Sequence, residues 1–218
     1  MQLSEETVAI LKNFASINQS ILLREGNVLK TIAPQKNIMA KAVVSETFPK
    51  EVAIYDLNRL LGVVSLFKSH DLDFTDNHIA IADGKNSVKY VYADPSIIVA
   101  APAKEINLPS SDVTFTLTDA NMQSVLKAAS VVGVPDISFV GDGSKLVMKA
   151  HDKKNSTSNE YAIEIGDTDQ TFAVDYKVEN FKMVPSDYEV TISKKLISQF
   201  KGSVVEYFVA CESTSTFA

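Results

Sequence analysis

Leu3, Thr7, Ile10, Leu11, Phe14 and Ile17 recur at intervals of three and four residues, which predicts an amphipathic helix over 4–17. Ser4 is placed to cap it, and Glu5 and Glu6 sit in the first turn, where the helix dipole favours acids. Short β-rich runs follow at 20–24 and 27–32, joined by Glu25-Gly26 in a hairpin signal, then at 38–44 and 51–55. Asp56 is set to cap a second helix over 57–67, with Leu57, Leu60, Leu61 and Val64 on its buried side. Three more strands are expected at 71–74, 78–82 and 87–92. Residues 93–111 contain Pro95, Pro102 and Pro109 without periodicity and read as an extended connector.

Beyond the connector the order begins again. A strand at 112–117 leads into a helix capped by Thr118 and Asp119 and closed by Gly133 and Pro135. Met122, Val125, Leu126, Ala129 and Val132 form its stripe, with Ser124, Lys127 and Val131 outward. A hairpin at 136–150, strands at 160–165 and 171–175, a short helix at 176–183 and strands at 188–192 and 204–210 complete the pattern. Gly26 and Gly143 mark equivalent hairpins, and Asp56 and Asp175 end equivalent strands, so the chain reads as a duplicated α+β domain.

The 218 residues suffice for one large domain or two of about 100 each. Cys211 is the sole cysteine, which excludes a disulfide framework and any multi-cysteine metal site. The first six residues lack the basic and apolar regions of a signal peptide, and no apolar run approaches the roughly 18 residues a membrane span needs. A cytosolic protein is expected. Twenty-one basic against 27 acidic residues give a net charge of −6, which argues against a protein coated in nucleic acid. Apart from Arg24 and Arg59 every basic residue is a lysine, suited to loose phosphate contact rather than bidentate readout.

Catalytic signatures are missing: there is no glycine-rich phosphate loop, no nucleophile elbow and no HExxH. The segment 70–78, with His70, Asp71, Asp73, Asp76 and His78, admits a metal-dependent or hydrolytic enzyme, although the alternation of Leu72 and Phe74 fits a strand with a polar turn. The polar faces of the three clearest helices each carry one basic residue: Lys12, Arg59 and Lys127. Either these are ordinary solvated faces, or they converge on one surface that binds phosphates through counterion release.

The runs Leu11-Lys12-Asn13-Phe14-Ala15-Ser16-Ile17-Asn18 and Val52-Ala53-Ile54-Tyr55-Asp56-Leu57-Asn58, with Leu61-Gly62 and Ala93-Asp94-Pro95, resemble the sliding clamps of T-even-type bacteriophages. These clamps are the processivity factors of the phage replicative DNA polymerase. The resemblance extends over the whole chain in element order and is closest through Pro95. It implies an α+β fold of two similar clamp-type domains, 1–93 and 112–218, joined by a connector at 94–111. Antiparallel sheets would lie outside and two helices per domain would face a central hole, in a homotrimeric ring. A DNA sliding clamp has no catalysis of its own and needs no cofactor and no metal. The expected partners are encircled double-stranded DNA, the other two subunits, the replicative polymerase, an ATP-dependent clamp loader and late-transcription factors. The setting would be the cytoplasm of the infected bacterial host.

Position by position, Lys12, Arg59 and Lys127 match the hole-facing helices, with Lys68, Lys177 and Lys182 as further DNA-facing candidates. Subunit contact would pair the edge strand carrying Val88, Tyr90 and Tyr92 with the next subunit's Tyr161, Ile163 and Ile165. A short hydrophobic partner peptide would dock near Ile98, Val99, Pro102, Phe208 and Val209, with strand packing as the competing account of those residues.

Overall fold

The computed structural model describes residues 1–67 and 69–218, so the candidate Lys68 lies outside the described residues. The chain forms two compact units, Met1–Glu105 and Ile106–Ala218.

In the first unit, α1 spans Glu5–Ile17, and the Ser4 hydroxyl accepts from the backbone N–H of Thr7 at 3.2 Å. Its stripe of Thr7, Ile10, Leu11, Phe14 and Ile17 is buried. Strands β1 (Ile21–Leu23), β2 (Gly26–Ile32), β3 (Ile38–Phe48) and β4 (Val52–Ile54) follow, β1 pairing with β4 and β2 with β3, both antiparallel. Asp56 caps α2 (Leu57–Val64) by accepting from the N–H of Arg59 at 2.9 Å. Leu57, Leu60, Leu61 and Val64 are buried as expected, and α1 packs on both α2 and β3. The helix ends one turn earlier than expected, at Val64. An antiparallel meander of β5 (Asp71–Phe74), β6 (His78–Asp83) and β7 (Asn86–Val91) leaves β7 at one edge. A 3-10 turn at Pro95–Ile97 opens the connector.

In the second unit, β8 (Val113–Leu117) precedes α3 (Asp119–Val132), capped by Thr118 and closed by Gly133, whose φ of 72° is the left-handed conformation glycine adopts without penalty. Next come β9 (Asp136–Asp142), β10 (Lys145–His151), β11 (Tyr161–Asp167) and β12 (Thr171–Lys177). After them stand β13 (Tyr188–Ser193), β14 (Ile197–Lys201), β15 (Val205–Ala210) and β16 (Thr216–Phe217). One antiparallel sheet has the order β11-β10-β9-β12-β16, while β8, β13, β14 and β15 run side by side, also antiparallel. Between the sheets sits an aromatic cluster: Phe139 is 4.9 Å from Phe115 and 5.8 Å from Tyr176, and Phe181 is 5.8 Å from Phe200, centroid to centroid.

The short helix expected at 176–183 does not form. Tyr176 and Lys177 complete β12, and the chain then makes a single 3-10 turn at Val178–Asn180 without a side-chain cap. Phe181 and Met183 are drawn into the core, and Pro185 follows closely enough to prevent a longer helix. Strand β14 was not anticipated. The turn before it contains no glycine, its left-handed position being taken by Leu196 at φ 61°.

Candidate nucleic-acid interface

Lys12, Arg59 and Lys127 are exposed on α1, α2 and α3, each opposite its helix's buried stripe. Arg59 pairs with Asp56 at 3.6 Å while 76% of its side chain stays exposed; among the described residues no ion pair engages Lys12 or Lys127. The neighbours on these faces matter as much as the cations. Exposed positions on α3 are Ala120, Gln123, Lys127, Ser130 and Val131, and on α2 they are Asn58, Arg59 and Gly62. On α1 they are Glu5, Glu6, Ala9, Lys12 and Ser16, so its carboxylates are confined to the first turn. Each of the three helix faces of an acidic chain therefore exposes one cation and, past the first turn, no carboxylate, an arrangement suited to sequence-independent phosphate contact.

Lys177 and Lys182 sit differently. Lys177 closes β12, half-buried, with its ammonium bonded to the buried Asp136; that hydrogen bond raises its pKa despite the opposing desolvation. Lys182 is exposed in irregular chain beyond the 3-10 turn. Neither stands on a helix, because the fourth helix that would have carried them is absent.

The segment 70–78 is the hairpin of β5 and β6. The backbone N–H of Leu3 donates to His70 Nε2 at 3.2 Å, and His78 Nδ1 lies 2.8 Å from the Thr75 hydroxyl and 2.7 Å from Asn77 Oδ1. These contacts are those of a strand and its turn. His151 joins a buried polar network. Its Nε2 lies 2.6 Å from the Ser138 hydroxyl, which donates to Asp175 at 2.6 Å. Desolvation lowers the His151 pKa. All three side chains are buried, so the group stabilises the sheet and offers no access to a substrate.

Val88 and Tyr90 lie on β7, Tyr92 just beyond it, and Tyr161, Ile163 and Ile165 on β11; all six are half-buried, and both strands are edges of their sheets. The Tyr90 hydroxyl donates to the carbonyl of Asp56 at 2.8 Å, which ties β7 to the start of α2. Tyr161 and Ser124 share a hydroxyl contact of 2.9 Å, which ties β11 to α3. Of the docking candidates, Ile98 is half-buried and Val99 and Pro102 are exposed on the connector, whereas Phe208 and Val209 are buried within β15, as strand packing requires. The connector is more ordered than its proline content suggests. Asn18 Nδ2 donates to the Val99 carbonyl at 3.0 Å, Arg24 Nη2 to Ala101 at 2.9 Å and Lys30 Nζ to Ala103 at 3.0 Å. A lysine inside the apolar run Val28-Leu29-Lys30-Thr31-Ile32 was the available signal, since a buried ammonium must find partners.

Comparison with known proteins decides what these faces belong to. The family described as DNA polymerase processivity factor matches residues 4–100, and that described as gp45 sliding clamp, C terminal, matches 114–213. The sliding clamp of Enterobacteria phage T4 is 33% identical over 227 residues, covering 99% of both chains. That of Vibrio phage KVP40 is 31% identical over 221 residues, covering 98% of this chain and all of the other. The chain belongs to the sliding-clamp family. It is a DNA polymerase processivity factor with no catalysis of its own, and the enzyme reading of segment 70–78 finds no support.

Solved clamps share the fold at much lower identity. An A. fulgidus PCNA bound to the C-terminal region of FEN-1 superposes with a TM-score of 0.70 at 14% identity, covering 99% of this chain and 98% of the other. The DNA polymerase III β subunit of Pseudomonas aeruginosa gives 0.65 at 9% identity, covering 97% of this chain and 63% of its own. Among the described residues, no helix of the clamp is long and apolar enough to cross a membrane.

Proposed function

We propose that three copies of this clamp close head to tail around duplex DNA and tether the replicative polymerase to it, in the cytoplasm of the infected host. Each copy would comprise clamp domains at 1–93 and 112–218 with the connector at 94–111, and Lys12, Arg59 and Lys127 would face the DNA. The observation that carries this reading is the set of three outward helix faces, each with one basic residue and, past the first turn, no exposed carboxylate. Contacts of this kind release counterions without fixing a sequence register, so they hold a duplex while letting it slide. Acidic surface elsewhere discourages DNA from binding outside the ring. Linkage then does the work of affinity: a closed ring keeps a weakly bound polymerase at high effective concentration near its template.

The same reading gives the connector, with Ile98, Val99 and Pro102, to partner peptides of the polymerase, the ATP-dependent loader and late-transcription factors. The test is the triple substitution Lys12→Glu, Arg59→Glu, Lys127→Glu. Light scattering should still give a mass near three times 23.8 kDa. Loader-dependent processive synthesis on a primed circle should collapse, and the salt slope of DNA retention should flatten by about 0.9 for each phosphate contact removed. Unchanged processivity would take these residues out of the DNA-facing set.

A further inference from the structure

Two lysines face each other across the β2–β3 ladder. Lys30 on β2 and Lys41 on β3 are directly opposite partners in the antiparallel register, so their side chains leave the same face of the pair. Like charges so placed repel, and these are also drawn out of water: the Lys30 side chain is 8% exposed and that of Lys41 24%. On the same face Val28 stands opposite Val43 and Ile32 opposite Met39, so the flanking pairs offer no counter-charge.

A counter-charge comes from the connector. The Glu105 carboxylate spans both ammonium groups, with Oε1 3.2 Å from Lys30 Nζ and Oε2 2.7 Å from Lys41 Nζ. Hydrogen bonds from Lys41 and then Lys30 hold its carboxyl below the usual carboxylate range. Lys30 Nζ also donates to the carbonyls of Ala103 at 3.0 Å and Lys104 at 3.5 Å, so its three protons all meet connector oxygens. This completes the row begun by Asn18 and Arg24, which fasten the carbonyls of Val99 and Ala101.

Resting on the docking reading given above, we propose that Glu105 is a positioning residue for partner docking. Its bridge between Lys30 and Lys41 latches the connector to β2 and β3 and holds Ile98, Val99 and Pro102 in one arrangement before a partner peptide arrives. Without the latch the connector samples arrangements that cannot bind, and a partner's apparent affinity falls with the competent fraction. The dependence runs both ways, because release of the connector leaves a buried ammonium without its acceptors.

Trypsin reports the latch on the full chain. Lys104 is exposed beside Glu105, and cleavage after it requires the connector to lift from Lys30; exposed Lys153 and Lys154, far from the latch in sequence, give a reference cut. Relative to that reference, Lys41→Met should speed the cut at Lys104 about threefold. Lys30→Met should speed it about tenfold, with a urea midpoint close to wild type, because methionine replaces the buried charge and leaves no ammonium unpaired. In a Glu105→Ala background Lys41→Met should change the rate by less than about 1.5-fold.

The functional readout is loader-dependent synthesis on a primed circle with the replicative polymerase titrated. Lys41→Met should raise the polymerase concentration for half-maximal synthesis about threefold and leave the rate at saturating polymerase unchanged, a split that lost stability alone does not produce. Val99→Asp tests the docking reading separately. If it leaves the half-maximal concentration unchanged, docking on the connector fails and the positioning role fails with it. If it raises that concentration while Lys41→Met does not, docking stands and the positioning role is overturned. A wild-type cutting rate at Lys104 in both lysine variants overturns the latch itself.

Discussion

Asp56 and Asp175 hold corresponding places in the sequence of the two halves of the clamp, Asp56 just after β4 and Asp175 within β12, and they do opposite things. Asp56 is free to accept from the N–H of Arg59 at 2.9 Å, and the Leu57, Leu60, Leu61, Val64 stripe follows at once, so α2 forms. Asp175 is 2% exposed and fully engaged. It accepts from the Ser138 hydroxyl at 2.6 Å, the Thr214 hydroxyl at 2.6 Å and the Lys153 ammonium at 2.8 Å. No carboxylate is left to start a helix, β12 runs on to Lys177, and the chain makes one 3-10 turn. A helix start depends on a capping group being available as well as being present in the sequence.

The sharpest way to break this comparison is Asp175→Ala. Removing a buried carboxylate strands the Ser138 and Thr214 hydroxyls and the Lys153 ammonium, at a cost of about 3 to 5 kcal/mol. Urea denaturation should show the midpoint falling with an unchanged slope. A loss below about 1 kcal/mol would mean the network stabilises little, and the missing helix would then rest on the core burial of Phe181 and Met183 and on Pro185.

A smaller effect sits at the start of α1, where the first unit has its own engaged carboxylate. Burial alone would raise the Glu46 pKa, but hydrogen bonds from the Thr7 hydroxyl at 2.5 Å and from the backbone N–H of Ser4 outweigh it and hold the group at about 2. The folded state thus binds the proton less tightly than the unfolded chain, whose carboxyl titrates near 4.5. The resulting stability is complete above that value and is lost as pH falls toward 2. Discounted for partial exposure, it amounts to about 1 to 2 kcal/mol at neutral pH. Wild type and Glu46→Gln, unfolded in urea at pH 7 and pH 3, should differ more at pH 7; equal differences would remove Glu46 from the acid response.

The elements that could be read from the sequence were those whose signal is local. Both long helices carry cap and stripe within their own residues, α3 its glycine terminator as well, and the β5–β6–β7 meander carries its alternation in the same way. What could not be read depends on partners far along the chain. The turn before β14 is made by Leu196 in a conformation that favours glycine, so it sends no turn signal. The role of Asp175 depends on Ser138, 37 residues earlier, and Thr214, 39 residues later. The basic candidates follow the same rule: the outward positions of Lys12, Arg59 and Lys127 could be read from helical spacing alone, whereas the pairing of Lys177 needed sight of Asp136 across the sheet. The connector read only as extended because its fastening comes from side chains of Asn18, Arg24 and Lys30, none of them near it in sequence.

The finest test returns to the free aspartate. Asp56→Ala removes the cap of α2 and leaves an orphan N–H at the first turn, costing about 1 kcal/mol. The Tyr90 hydroxyl still has the residue 56 carbonyl as its acceptor, so β7 should stay tied to the start of the helix. The loss should therefore be local: faster amide exchange within α2, with little change in β5 to β7. Asp56→Ser, which keeps a side-chain acceptor without the charge, should recover most of the stability. If the serine variant were as unstable as the alanine one, the ion pair to Arg59 at 3.6 Å would be the stabilising contact instead of the cap. Exposure argues against that result, because a cation with 76% of its side chain in water contributes little through such a pair. The difference between the two halves therefore rests on the lone pairs of one carboxylate, open to a backbone N–H in the first and already taken in the second.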